Sequence, residues 1–170
     1  MVAFNDFQDF ELKNTKKVLK SAGAKIEICS SSLGTARGKH GSEVKVEVLI
    51  NDVDVSNYEA VIFVGGPGAV EYLNSEYAYN VIREAVEKKK VLGAICMAPQ
   101  IFAKSGILEG KKATVFTSDY DKSGIKILEE NKAVYIDEEV VADGIIISAN
   151  GPDAAEKFGK KILEVLNKQK

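Results

Sequence analysis

Short apolar runs alternate with amphipathic stretches along most of this chain. The runs are rich in Val and Ile and are bounded by glycine or polar residues, which is typical of β-strands. They predict strands at residues 2–4, 25–29, 60–64, 91–95 and 145–148. The amphipathic stretches between them predict helices at residues 10–23, 77–90, 99–106 and 152–169.

The two kinds of segment together indicate a fold class. The first helix places Val18 and Leu19 on one face and ends at Gly23, a residue type that often follows a helix. The runs at 60–64 and 91–95 are apolar on both faces, which indicates strands buried in a parallel sheet. The sequence therefore predicts an α/β, doubly wound sandwich with a mainly parallel sheet and helices on both faces.

Two segments depart from this alternation. Residues 43–49 alternate valine with Lys and Glu, which predicts a half-exposed strand at a sheet edge or in a hairpin. Residues 133–149 carry turn signals between apolar runs, which predicts a small antiparallel meander. The strand at 2–4 is shorter than a central parallel strand usually is, so the first strand is expected to be incomplete.

Length and charge limit the classes of function. The 170 residues favour a single domain over 1–170, whose core is large enough to fold without disulfide bonds or a bound metal. The 23 basic and 25 acidic residues give a net charge of −2, so we expect neither a nucleic acid nor a membrane as partner. No apolar run of membrane-spanning length and no leader pattern is recognisable, and we expect a cytoplasmic protein. Abundant Lys and Glu with only two Arg fit a thermophile or an AT-rich genome.

The two cysteines, Cys29 and Cys96, are candidates for chemistry. They are far apart and lack CxxC spacing, which argues against a disulfide framework or a zinc site. We accordingly expect no metal and no cofactor. Each thiol could be a reactive group or a buried structural side chain.

Cys96 stands where the predicted strand 91–95 meets a helix. Ala94 and Ala98 flank it in a small-x-Cys-x-small pattern, which suits the sharp turn of a nucleophile elbow. Such a turn predicts a positive φ at Cys96. A helix N-terminus would also lower the pKa of its thiol. The alternative is an inert cysteine that ends a core strand, and position alone leaves both open.

A second candidate is the glycine-rich segment 65–68, which directly follows a predicted strand. The carboxyl ends of parallel strands meet at one edge of a sheet, so this segment and Cys96 are expected to be neighbours. Bare backbone there could let the N–H groups of Gly66 and Met97 form an oxyanion hole. The segment lacks the spacing of a phosphate loop, and an ordinary glycine turn is the alternative.

Three longer segments resemble the ThiJ/PfpI superfamily, the group of the Parkinsonism-associated deglycase and the archaeal intracellular peptidases. They are AVIFVGGPGAVEYL, VLGAICMAPQIFAKSGILEGKKATVF and DGIIISANGPDAAEKFGKKILEVL, and the resemblance runs from about Phe4 to Leu166. It implies a flavodoxin-like, class I glutamine amidotransferase-like sandwich and a homo-oligomer, a dimer or larger. It also implies that Cys96 is the reactive cysteine and that Gly66 and Met97 donate N–H groups to an oxyanion.

The resemblance also implies a Glu that hydrogen-bonds the thiol and a His that assists it. Aligning the loop after the first strand puts Gln8 where that Glu belongs. Met97 stands where the peptidases have His, and Phe116 or Thr117 where the deglycases have it. The single histidine, His40, lies in a polar loop and is interpreted as structural unless a neighbouring subunit brings it to a cysteine. General acid and base groups are thus expected to be missing.

Three functions remain open at this point. The first is a thiol protein whose Cys96 meets a small electrophile or oxidant, in a stress response, with weak or no hydrolase activity. The second is a cysteine-nucleophile enzyme, a deglycase or glyoxalase or an intracellular peptidase. The third is a non-catalytic dimeric interaction protein. An acidic carboxyl within hydrogen-bond reach of the Cys96 sulfur, from Glu71, Asp119 or a neighbouring chain, would favour the enzyme.

Overall fold

The computed structural model describes residues 1–169, which form strands and helices in alternation. The strands are β1 (Asn5–Phe7), β2 (Cys29–Ser30), β3 (Gly34–Gly38), β4 (Glu43–Val46), β5 (Val48–Leu49), β6 (Ala60–Phe63), β7 (Val91–Ile95), β8 (Lys112–Ala113), β9 (Val134–Tyr135), β10 (Val140–Asp143) and β11 (Ile146–Ala149). The helices are α1 (Asp9–Ser21), α2 (Glu76–Glu87), α3 (Pro99–Lys104), α4 (Ser123–Glu130) and α5 (Ala155–Lys168). None of the helices formed by these residues is long and apolar enough to cross a membrane.

Four strands make the central sheet, in the order β10-β11-β7-β6. The last three are parallel, and β10 joins β11 as an antiparallel hairpin. Three smaller sheets surround it: β1-β3-β4, β2-β5 and β8-β9. Parallel pairs outnumber antiparallel ones, as predicted.

Strand β7 is buried on both faces because helices cover both sides of the central sheet. Its Val91 and Ile95 side chains belong to a cluster with Phe158 of α5, whereas Leu92 and Ala94 belong to another that contains residues of α2 and α3. This alternation is the period-two geometry of a strand. The predicted α/β, doubly wound architecture is therefore confirmed.

The strand predictions fail only near the N-terminus. The strands at 60–64, 91–95 and 145–148 form to within about one residue. Residues 2–4 form no assigned strand, and 25–29 retains only Cys29–Ser30. The physical reason is that each of these segments would need the other as a full-length neighbour. Here the contacts are isolated hydrogen bonds, from the Val64 N–H to the Met1 carbonyl and from the Val2 N–H to the Cys29 carbonyl, and they do not form a regular ladder.

The two irregular segments are partly as predicted. Residues 43–49 contain β4, which forms an antiparallel hairpin with β3 at the edge of its sheet. The β10–β11 hairpin confirms one half of the meander. The other half is wrong, because β9 instead pairs in parallel with β8 in a separate sheet.

Candidate active site

Cys96 occupies a strained turn between β7 and α3. Its φ is 63°, in the left-handed region that non-glycine residues rarely adopt, as the elbow predicts. Its N–H donates to the Ala149 carbonyl at 2.8 Å, and its carbonyl accepts from the Phe116 N–H at 2.9 Å. These two bonds fix the turn from opposite sides. The thiol is buried, with 7% of the residue exposed.

A buried carboxyl lies beside this thiol, and it belongs to Glu11 in the first turn of α1. Glu11 is fully buried, and its Oε2 accepts a hydrogen bond from the Gly65 N–H at 2.9 Å. The Cys96 thiol lies next to this carboxyl and lowers its pKa. Among residues 1–169, Oε1 has no hydrogen-bond partner. A fully buried acid with one firm hydrogen bond is costly to the fold, which marks it as a functional group.

The expectation that Gln8 stands in for the acidic side chain is therefore wrong. Gln8 lies at the N-cap of α1, where its side-chain oxygen accepts from the Phe10 N–H at 3.0 Å. Because it caps the helix, the Gln8 side chain folds onto the first turn of α1. Glu11 comes one turn later, on the face of α1 that meets the sheet.

The sequence carried a signal for Glu11 that the loop alignment missed. Glu11, Thr15 and Leu19 are spaced four residues apart, and all three are buried on one face of α1. A charged residue in phase with an apolar helix face is a candidate for a buried functional carboxyl. Counting back from Leu19 would have placed Glu11, not Gln8, towards the sheet.

The Glu11 carboxyl and the Cys96 thiol both bind protons more tightly than usual. Burial raises the pKa of Glu11 to about 7, against the lowering effect of the Gly65 and Cys96 hydrogen bonds. Burial also raises the pKa of Cys96, and the negative charge of Glu11 raises it further. The prediction of a lowered thiol pKa is thus wrong, because the N–H groups around the sulfur are outweighed by burial and by this carboxylate.

Two backbone N–H groups nevertheless favour negative charge on the sulfur. Those of Gly66 and Met97 lower the pKa of Cys96. When Glu11 holds its proton, its repulsion disappears and these donors favour negative charge on sulfur. The same pair is the one predicted to form an oxyanion hole.

Residues 65 and 66 are glycines because other parts of the chain lie too close to their backbone for a side chain to fit. A Cβ on Gly65 would lie 2.6 Å from the Cys96 Cβ and 3.0 Å from Glu11 Oε2. Gly66 has a φ of 106°, and a Cβ there would lie 2.5 Å from the Gln8 nitrogen. Bare backbone at both positions is what lets the segment touch Cys96 and α1 together.

No imidazole takes part in this arrangement as far as residues 1–169 show. The exposed His40 donates its backbone N–H to Asp9 Oδ2 at 2.8 Å, and its ring lies 5.4 Å from that of Phe10. Met97 is half-buried, Phe116 offers the site its backbone N–H, and Cys29 lies apart in β2. The described residues contain no group of three His, Cys, Asp or Glu side chains able to hold a metal ion.

Comparison with known proteins assigns the chain to a family. The DJ-1/PfpI family profile matches residues 1–165. A deglycase of Pyrococcus horikoshii is 34% identical over 163 residues, which cover 95% of either chain. An uncharacterised protein of Methanocaldococcus jannaschii is 38% identical over 99% of this chain and 81% of its own length.

Solved structures agree with the sequence relatives. A ThiJ/PfpI domain protein from Brachyspira murdochii superposes with a TM-score of 0.92 at 30% identity, covering 97% of this chain and 92% of its own. DJ-1beta of Drosophila melanogaster superposes with a TM-score of 0.81 at 26% identity, covering 95% of this chain and 86% of its own. With its elbow cysteine, its glycine segment and these matches over nearly its whole length, the chain belongs to the DJ-1/PfpI family.

Proposed function

We propose that this protein is a cysteine-dependent enzyme for small reactive carbonyl compounds, of the α-oxoaldehyde class. Cys96 is the nucleophile, and Glu11 carries its proton. The observation that supports this most is the buried Glu11 carboxyl beside a strained, buried thiol, with a pKa raised to about 7. A group that titrates near the working pH is suited to take and return a proton. The relative from P. horikoshii named a deglycase points the same way.

The first step uses groups already in contact. The Glu11 carboxylate takes the thiol proton as sulfur attacks the aldehyde carbon, so a C–S bond forms and the carbonyl π electrons move to oxygen. The N–H groups of Gly66 and Met97 stabilise that oxyanion, as donors fixed in advance do. Glu11 then returns the proton to the oxygen, which gives a neutral hemithioacetal.

The second half of the reaction needs only a base and water. The neighbouring keto group acidifies the hemithioacetal C–H, so Glu11 can remove this proton to give an enediolate. The proton then returns to the adjacent carbon while the hemithioacetal hydroxyl proton passes to the former keto oxygen, which gives the thioester of a 2-hydroxy acid. Water cleaves the thioester, restores the thiol and releases a hydroxy acid. One water is consumed for each α-oxoaldehyde, with no net oxidation.

A second candidate is a thiol that responds to oxidants, and the effect of the Gly66 and Met97 N–H groups on the sulfur favours it. N–H groups that favour negative charge on sulfur would also stabilise the oxygens of a sulfinate formed there. This role needs no turnover and no second proton transfer. It predicts peroxide-dependent modification of Cys96 without loss of methylglyoxal.

Methylglyoxal turnover by matched variants separates these functions. Cys96→Ser should abolish turnover, and Glu11→Gln should lower kcat by about 100-fold or more, the usual range for a lost acid–base group. Cys29→Ser is the control, because it removes the other thiol and should leave kcat unchanged. Turnover that survives Cys96→Ser would contradict the proposal. Absence of turnover with selective peroxide oxidation of Cys96 would favour the second candidate.

A further inference from the structure

An exposed aromatic side chain lies next to the elbow. Phe116 follows the buried residues Thr114 and Val115, and 37% of it is exposed. Its N–H donates to the Cys96 carbonyl at 2.9 Å, so its backbone is joined directly to the strained turn. The proton transfers proposed for Cys96 make no use of its ring.

Close packing fixes the position of this ring. A Cβ on Gly151 would lie 3.7 Å from Phe116 Cδ2, so the ring lies against the backbone that follows β11. A Cβ on Gly124, near the start of α4, would lie 3.1 Å from the Phe116 carbonyl oxygen. The Phe116 backbone is thus held by Cys96 on one side and by α4 on the other. The ring is therefore in place before any substrate binds.

Met97 adds a second apolar group at the same turn. Its side chain is half-buried and packs against the cluster that contains Cys96 and Ala149. Gly151, which the Phe116 ring contacts, comes two residues after Ala149. The segment after β11 therefore brings Met97, Cys96 and Phe116 together.

The covalent structure of the substrate places its substituent beside these side chains. In an α-oxoaldehyde R–CO–CHO, the carbon that bonds to sulfur is next to the carbon that carries R. A substituent this close to the sulfur stays at the elbow. The other apolar residues of the turn, Ala94, Ile95 and Ala98, are buried, whereas Phe116 and Met97 remain partly accessible.

We infer that Phe116 and Met97 form an apolar subsite for R, so that the protein prefers α-oxoaldehydes with an aryl or large alkyl substituent. Methylglyoxal is then a poorer substrate, and glyoxal, in which R is hydrogen, the poorest. The inference rests on the proposed function for the reaction and adds the class of substituent. Contact with the two side chains removes apolar surface of R from water, and an aryl R also gains ring–ring packing with Phe116.

Alkylation tests the subsite without any turnover. Phenacyl bromide and bromoacetone each transfer a –CH2–CO–R group to sulfur and release bromide, while the thiol proton passes to the buffer. They differ from each other as phenylglyoxal differs from methylglyoxal. Mass spectrometry of the Cys96 peptide gives the two rates, and glutathione corrects for the intrinsic reactivity of the reagents. We expect a corrected preference for phenacyl bromide of at least about fivefold, below the roughly 10- to 200-fold that a closed apolar pocket gives per methylene.

Variants assign this preference to the side chains. Phe116→Ala should remove most of it, whereas Phe116→Leu, which keeps apolar bulk, should retain part of it. Met97→Ala should lower it as well. Val134→Ala shortens another exposed apolar side chain, on β9, and should leave the preference unchanged. The inference is overturned if the parent protein shows no preference or if Phe116→Ala keeps it in full.

Turnover separates the subsite from the proposed reaction. The ratio of kcat/KM for phenylglyoxal to kcat/KM for glyoxal should fall at least about fivefold in Phe116→Ala and stay the same in Val134→Ala. Turnover of methylglyoxal without any aryl preference would support the proposed reaction and refute the subsite. An aryl preference in alkylation without turnover would support the subsite and contradict the proposed reaction.

Discussion

Glu11 and Cys96 define the site at the scale of single residues, because each sets the protonation of the other. A buried carboxyl and a buried thiol in contact titrate as a pair, and the first proton leaves the pair near the raised pKa of Glu11, about 7. The singly ionised pair contains a form with charge on sulfur, which the Gly66 and Met97 donors stabilise.

The alkylation rate of Cys96 should therefore rise with pH through about pH 7. Glu11→Gln should remove this inflection, because the thiol then titrates without a carboxyl neighbour. Iodoacetamide labelling at a series of pH values, followed by mass spectrometry of the Cys96 peptide, measures the rate. Gln8→Glu is the control at the helix cap and should leave the profile unchanged. An inflection near pH 7 that persists in Glu11→Gln would show that another group controls the thiol.

Glu11 should also make the protein less stable as pH rises from about 4.5 to 7. In this range the unfolded chain releases the Glu11 proton and the folded chain keeps it, so deprotonation favours unfolding. A shift from 4.5 to about 7 corresponds to a free energy of about 3 kcal/mol. Urea unfolding at pH 5 and pH 8 should show this loss of stability in the parent protein and a smaller one in Glu11→Gln. Equal losses would mean that Glu11 ionises freely in the fold.

At the scale of elements, Gly93 allows β7 and α5 to pack closely against each other. A Cβ on this residue would lie 2.8 Å from the Phe158 Cζ and 3.1 Å from the Ile162 Cδ1. The glycine lets α5 approach the strand whose end carries Cys96. Its role is packing, since its backbone makes ordinary parallel-sheet pairs.

Gly93→Val should overpack this contact and lower the free energy of unfolding by about 1–3 kcal/mol. Because β7 leads directly into the elbow, kcat should fall as well. Chemical denaturation measures the first effect. Adding Phe158→Leu in the same chain should recover part of the lost stability, because it frees space at the Gly93 Cβ position. Full stability of Gly93→Val would show that α5 can move away from the sheet at little cost.

At the scale of the whole molecule, three exposed apolar side chains belong to segments that meet near a cavity. Leu33, Val70 and Tyr77 are each more than half exposed. Tyr77 lines this cavity together with Ser31 and Glu71, whose side chains hydrogen-bond to each other, and Leu33 and Val70 are close to these two along the chain. Such a patch is typical of a protein–protein contact.

We therefore expect a homodimer or a larger assembly at micromolar concentration. Light scattering coupled to size-exclusion chromatography should give a mass of at least twice 18.4 kDa. Val70→Lys should shift the protein towards monomer by placing a charge in the patch, whereas Val134→Lys, on the exposed strand β9, should not. A monomeric parent protein would refute this prediction.

The fold class and the elbow could be predicted from the order of residue types. Apolar residues on both faces of β7 are typical of a covered parallel sheet, and Ala94 and Ala98 allow the strained turn at Cys96. Both are local properties, since the first depends on the spacing of apolar residues along the strand and the second on the size of the residues beside Cys96. They can therefore be predicted without knowing which segments pack nearby.

Which carboxyl lies beside the thiol, and what the thiol pKa becomes, depend instead on how distant segments pack together. Gln8 and Glu11 differ by one turn of α1, and the packing of that helix against Gly65 selects Glu11. The thiol pKa then depends on burial and on the charge of Glu11, two quantities that arise only when distant segments meet. The missing ladder at 2–4 and 25–29 has the same cause, because a strand forms only where a neighbouring segment pairs with it, and residues 2–4 and 25–28 make only isolated backbone hydrogen bonds or none.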